Sequence, residues 1–139
     1  QRASIKYKDS SNYIVFKTNS RLLDENQNFI SSNLVHCQVE YIFGKNELVI
    51  RCSHDCRDEN MDIQFILPVI STNDEEFTTV SNQEIQINKV GGNLVIEADK
   101  EMNIMETPAK GRVFNFVPGM EALPFRLSSR KFEVKMHLE

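Results

Sequence analysis

Five consecutive residues, Cys52-Ser53-His54-Asp55-Cys56, form the densest set of reactive side chains in this 139-residue chain. His36 lies one predicted strand earlier. Thiolate and imidazole ligands suit zinc, and such a site would draw on His36, Cys52, His54 and Cys56. The C-x3-C spacing and the lack of a second paired motif argue against it. Cys52 also falls on an apolar face. The expectation is no metal and no other cofactor. A nucleophilic cysteine needs a neighbouring base and an orienting third group. His54 could be the base for Cys56, but no third group stands at a recognisable spacing, so no catalytic residue is assigned. The carboxylates of Asp55, Asp58, Glu59 and Asp62 lack the spacing of a calcium loop, and Arg57 sits among them. They read as a solvated loop. Three cysteines leave one unpaired if a disulfide forms. Reduced thiols are expected, with Cys37–Cys52, placed directly opposite each other, as the pair if any bridge forms.

Binding chemistry has two further candidates. Carbohydrate sites use flat aromatic side chains with polar rims. There is no tryptophan, Tyr41 is assigned to the core, and Tyr7 and Tyr13 are left as candidates for a surface platform, with edge-strand packing an equal alternative. The segment from Arg126 to Lys135 holds Arg126, Arg130, Lys131 and Lys135 against only Glu133. It is the one locally basic stretch and the place for an anionic glycan. A solvated strand face, with Phe132, Val134, Met136 and Leu138 turned inward, is the preferred account of it. The net charge of −4 speaks against nucleic acid, which needs a basic stripe to neutralise phosphates. No apolar run approaches the length of a membrane span.

The elements that must carry these residues are strands. No window shows helical periodicity, and alternation of period two recurs. Expected strands are Ser4–Lys8, Tyr13–Thr18, Leu34–Phe43, Glu47–His54, Asp62–Ile70, Glu84–Val90, Asn93–Ala98, Arg112–Val117 and Lys131–Leu138. Ser71 to Gln83 reads as an exposed loop. Turn signals every 8–12 residues predict an all-β antiparallel sandwich of eight to ten strands in one domain spanning 1–139.

Two hairpins can be registered from their apolar faces. A turn at Gly44-Lys45 sets Tyr41 opposite Leu48, Val39 opposite Ile50 and Cys37 opposite Cys52. A four-residue loop keeps the same faces and moves each pair by two, so both remain open. A slip of one residue would reverse the faces. A turn at Gly91-Gly92 sets Ile87 opposite Ile96 and Ile85 opposite Ala98, and glycines tolerate the positive φ of such turns. The nearly continuous apolar run Phe65, Ile66, Leu67, Val69 and Ile70 is either covered on both faces or bent at Pro68.

Gly92-Asn93-Leu94-Val95-Ile96, with Arg112-Val113-Phe114-Asn115-Phe116-Val117-Pro118-Gly119-Met120-Glu121-Ala122-Leu123-Pro124, resembles the C-terminal β-sandwich regions of secreted Bacteroidetes polysaccharide-degrading proteins. Heparinase-like lyases are among them. The resemblance covers the last third of the chain. It implies catalysis in a helical toroid and at its junction with a sandwich. No toroid is encoded here, so that family's catalytic Tyr and His are carried onto no residue. Read physically, the motif is a strand, a tight turn at Pro118-Gly119 and a re-entering strand.

The expected function is a non-catalytic accessory module of a secreted or periplasmic polysaccharide-processing system. Its partner would be polysaccharide or a parent catalytic domain. A structural or adhesin-like sandwich with a protein partner is the alternative. A polar N-terminus without methionine suits a processed or excised chain.

Overall fold

The computed structural model describes residues 4–10, 12–24, 26–30, 34–72, 75–104 and 120–139. Eleven strands occur among them and no helix. They are β1 (Ser4–Asp9), β2 (Ile14–Leu22), β3 (Val35–Phe43), β4 (Glu47–His54), β5 (Phe65–Thr72), β6 (Phe77–Ser81), β7 (Glu84–Lys89), β8 (Gly92–Ala98), β9 (Asn103–Ile104), β10 (Met120–Leu127) and β11 (Lys131–Leu138). Eight form one sheet in the order β1-β2-β3-β4-β11-β8-β7-β6, and three form a second in the order β5-β10-β9. Every pairing is antiparallel. The all-β sandwich expected from the sequence is the observed fold. The expected strand Arg112–Val117 lies outside the described residues.

The last strand is the centre of the large sheet. β11 pairs with β4 on one side and with β8 on the other, joining two meanders that are far apart in sequence. Phe132 and Val134 turn inward and are buried, as their alternation with Lys131, Glu133 and Lys135 requires. They meet Ile50, Cys52, Ile85, Ile87 and Ile96 from the same sheet and Val69, Phe125 and Leu127 from the smaller one. The rings of Phe65 and Phe132 lie 5.2 Å apart across the two layers.

Both hairpin registers differ from the glycine-centred expectation by two residues. In the first, Phe43 opposes Leu48, Tyr41 opposes Ile50 and Val39 opposes Cys52. The four-residue connection is adopted, and the Gly44 N–H donates to the Glu47 carbonyl at 2.8 Å. In the second, Ile87 opposes Leu94 and Ile85 opposes Ile96, so the turn falls at Val90-Gly91. Gly92 belongs to β8 and takes φ 140°. A Cβ there would sit 2.4 Å from the Glu139 carbonyl oxygen. The glycine is therefore needed where the chain end crosses β8, while Asn93 and Glu139 exchange backbone hydrogen bonds.

One further expectation is corrected. Phe77–Ser81, inside the stretch read as a loop, forms edge strand β6 against β7 with a register shift between Thr79 and Ser81. Its side chains are all exposed, so no burial alternation marked it. Pro68 sits on β5, an edge strand, directly opposite Pro124. β9 pairs only with Phe125 and Arg126, so Pro124 lies beyond its reach, and neither proline interrupts a ladder that needs its missing N–H.

Candidate functional site

The Cys/His cluster is dispersed by the pleat. Cys52 faces the core, while His36 points to solvent from the other face of β3. The His36 Nδ1 lies 3.1 Å from Asp55 Oδ2, and the His36 backbone N–H donates to Asp55 Oδ1 at 2.7 Å. These bonds hold the Asp55 carboxyl below the usual carboxylate range. Cys56 is buried, with its thiol 3.9 Å from the Asp58 carbonyl. Asp58 binds the Asn60 N–H and side chain, and Asp62 binds Gln64. Among the described residues no three His, Cys, Asp or Glu side chains gather as metal ligands. His54 is pushed below the ordinary histidine pKa by burial first and by the Arg130 guanidinium second, with Asp55 opposing.

Cys37 and Cys52 are both free, with sulfurs 3.9 Å apart. They are not directly opposed as expected. Cys37 faces His54 and Cys52 faces Val39, a diagonal offset of two residues on one face.

The four basic candidates separate. Arg126 is on β10 of the small sheet, opposite Ile66 and Asn103. Arg130 precedes β11 and shares a hollow with Cys56, Asp58, Glu59 and Asp62. Lys131 and Lys135 do share the outer face of β11. Glu133 stands between them, and Lys135 pairs with Glu47 at 3.3 Å and opposes Glu97. The neighbouring row crosses four strands with alternating charge. Lys17 meets Glu40 at 4.0 Å, Glu40 meets Arg51 at 3.6 Å, and Arg51 meets Glu133 at 2.6 Å. The outer face is thus charge-compensated rather than basic.

The inner face is unusual at its other end. The row Phe16, Tyr41, Ile50, Val134 runs across β2, β3, β4 and β11. Exposure falls along it from 38% at Phe16 to 2% at Ile50 and 0% at Val134. In the next row Ile14 and Phe43 are 37% and 42% exposed, while Ile96 and Ile85 are 0% and 1%. The smaller sheet therefore seals β4, β11, β8 and β7, and Cys37, Val39 and Tyr41 of β3 still pack against that core, while Ile14, Phe16 and Phe43 stay more than a third exposed. The rings of Phe16 and Phe43 contact edge to face at 5.9 Å. The alternation of β2 and β3 announced an inner face, and nothing local in it marked these three residues as partly exposed.

Tyr13 lies at the end of this apolar strip. The Ser10 N–H and hydroxyl both donate to the Tyr13 carbonyl at 3.0 Å, and the Tyr13 N–H donates back to the Ser10 hydroxyl at 3.2 Å. This turn sets Tyr13 into an open groove between two hairpin tips, lined also by Asp9, Asn12, Phe43 and Lys45. Tyr7 opposes Phe16 in register. Tyr13 and the basic residues thus occupy different parts of the molecule.

The whole chain, residues 1–139, matches the family described as the ulvan lyase C-terminal domain. A broad-specificity ulvan lyase from Formosa agariphila is 30% identical over 125 residues, covering 90% of this chain and 19% of that protein. The chain spans less than a fifth of that relative's length.

Proposed function

The chain belongs to the ulvan lyase C-terminal domain family, and from that premise we propose that it is a secreted, non-catalytic module that packs against the catalytic part of a polysaccharide lyase. The observation that carries this reading is the apolar strip of Ile14, Phe16 and Phe43, each more than a third exposed. Contiguous exposed hydrophobic patches mark interaction surfaces. The occupant is the remainder of the same lyase polypeptide. In the relative, about four fifths of the chain lies outside the matching stretch, which supplies a partner at fixed high local concentration. An edge-to-face aromatic pair flanked by an aliphatic side chain suits the centre of such an interface.

The test uses the full-length lyase. The double substitution Phe16→Ser and Phe43→Ser should uncouple the module, giving it a separate calorimetric transition and faster nicking by protease at the junction. The isolated module should keep its own melting temperature within a few degrees. A variant enzyme that melts and resists proteolysis like wild type would overturn the reading.

The groove at Tyr13 favours a second reading, in which the module itself holds polysaccharide. An aromatic face beside Asp9, Asn12 and Lys45 matches the apolar and hydroxylated faces of a sugar ring. Lys131 and Lys135 would add a salt-sensitive contribution on another face. Tyr13→Ala should abolish retardation of the module in gels containing the polymer. Retardation that survives Tyr13→Ala and disappears in Lys131→Glu/Lys135→Glu would move the site to the basic strand.

A further inference from the structure

We propose that Cys37 and Cys52 form a redox-active dithiol, closing to a cross-strand disulfide when the protein meets a disulfide-bearing oxidant. The inference rests on placement, independently of how the module docks. Both residues lie on the inner face of neighbouring strands β3 and β4, fifteen positions apart in sequence but with sulfurs only 3.9 Å apart. A disulfide needs about 2.05 Å between sulfurs, so closure requires rotation of the side chains and an approach of under about 2 Å. The pair sits near the ends of its strands, where Cys37 is the third residue of β3 and His54 ends β4.

The two thiols are also unequal in a useful way. Cys37 is half-buried, whereas Cys52 is buried in the sealed core. The contact with Cys52 lowers the Cys37 pKa to about 7, and the same contact, with burial, raises Cys52. A thiol near pH 7 is the better attacking group. In the first step the Cys37 thiolate attacks one sulfur of the oxidant, forming a mixed disulfide and expelling one thiolate. In the second, Cys52 gives up its proton and attacks the Cys37 sulfur, expelling the second thiol. Two protein thiols are oxidised, one small disulfide is reduced to two thiols, and no other reactant is required. Cys56 takes no part, because its thiol faces the Asp58 carbonyl. The bridge would tie β3 to β4, on the sealed part of the sheet. Oxidising secretory compartments favour such bonds.

The experiment incubates the folded wild-type protein with excess oxidised glutathione and counts free thiols after removal of the reagent. The three thiols of the reduced protein should fall to one, with an intact mass lower by two hydrogens. Peptide mapping should join the Cys37 and Cys52 peptides, and dithiothreitol should restore all three thiols. Cys56→Ser should still close the bridge, and Cys52→Ser should stop at a stable glutathione adduct on Cys37. A wild-type protein that keeps three free thiols, retains the adduct on Cys37, or links through Cys56 would overturn the proposal.

Discussion

One part of the large sheet is sealed and one end of β2 and β3 is partly exposed, yet their strands obey the same pattern. β4, β11, β8 and β7 place Ile50, Val134, Ile96 and Ile85 beneath the smaller sheet. β2 and β3 place Ile14, Phe16 and Phe43 on the same side, each more than a third exposed. The difference shows that an apolar face is not yet a core. It becomes one only where a second layer arrives about 10 Å away, and three strands cannot cover eight. The exposed end carries the functional argument for that reason.

The sharpest way to break this comparison is to remove one aromatic ring from each part. Phe132→Ala should cost about 3–5 kcal/mol in the isolated module, because its ring contacts Phe65 across the layers. Phe16→Ala should cost about 1 kcal/mol or less. Denaturant unfolding measures both, and equal costs would mean that the exposed end of β2 and β3 is covered after all.

Two adjacent glycines sharpen the same contrast at the sheet's end. Gly92→Ala should destabilise by roughly 2–3 kcal/mol, through positive φ and a collision with the Glu139 backbone. Gly91 has open space around it, so Gly91→Ala should be neutral or stabilise by about 0.4–1 kcal/mol. Thermal melts of the two variants should therefore move apart.

On the outer face the expected effects are smaller. Glu40→Lys replaces attraction to Lys17 and Arg51 with repulsion, and exposed pairs are worth about 0.2–1 kcal/mol. The loss should shrink in 1 M salt, where the Debye length is about 3 Å. The smallest effect belongs to His54, where the sealed half meets the Arg130 connection. The fold favours its neutral form, so the unfolded chain binds that proton more tightly. The stability this confers is complete above the ordinary histidine pKa of about 6.5 and drains as pH falls from there through the lower folded value. His54→Gln should flatten the decline in melting temperature between pH 7.5 and pH 5. Asp55, held below the usual carboxylate range, keeps its charge throughout that window.

Much of the site was legible only in part. Tyr13 was recognisable as an aromatic without a core assignment, but the Ser10 turn that presents it was not. Lys131 and Lys135 were correctly placed outside Phe132 and Val134. The ion pair of Lys135 with Glu47 was invisible, because Glu47 comes from β4, many positions away. Arg126 seemed to belong with Arg130 by sequence, yet a connection of three residues carries the chain from one layer to the other. The paired thiols were anticipated, and their diagonal offset was not.

What the sequence by itself determined was the period-two alternation, and with it seven of the eight strands of the large sheet, their antiparallel hairpins and the face to which their side chains turn; β6, β9 and β10 carried no such mark. Shifting a pair by two residues preserves every one of those facts, so only the packed structure chose between the possible registers. It did so by fitting Gly92 beneath Glu139 and Phe43 against Phe16. The strand order was also decided there, since nothing local tells β11 to insert between β4 and β8. The reach of the smaller sheet was decided last, because side-chain alternation reports which way a residue points and carries no information about what lies opposite it.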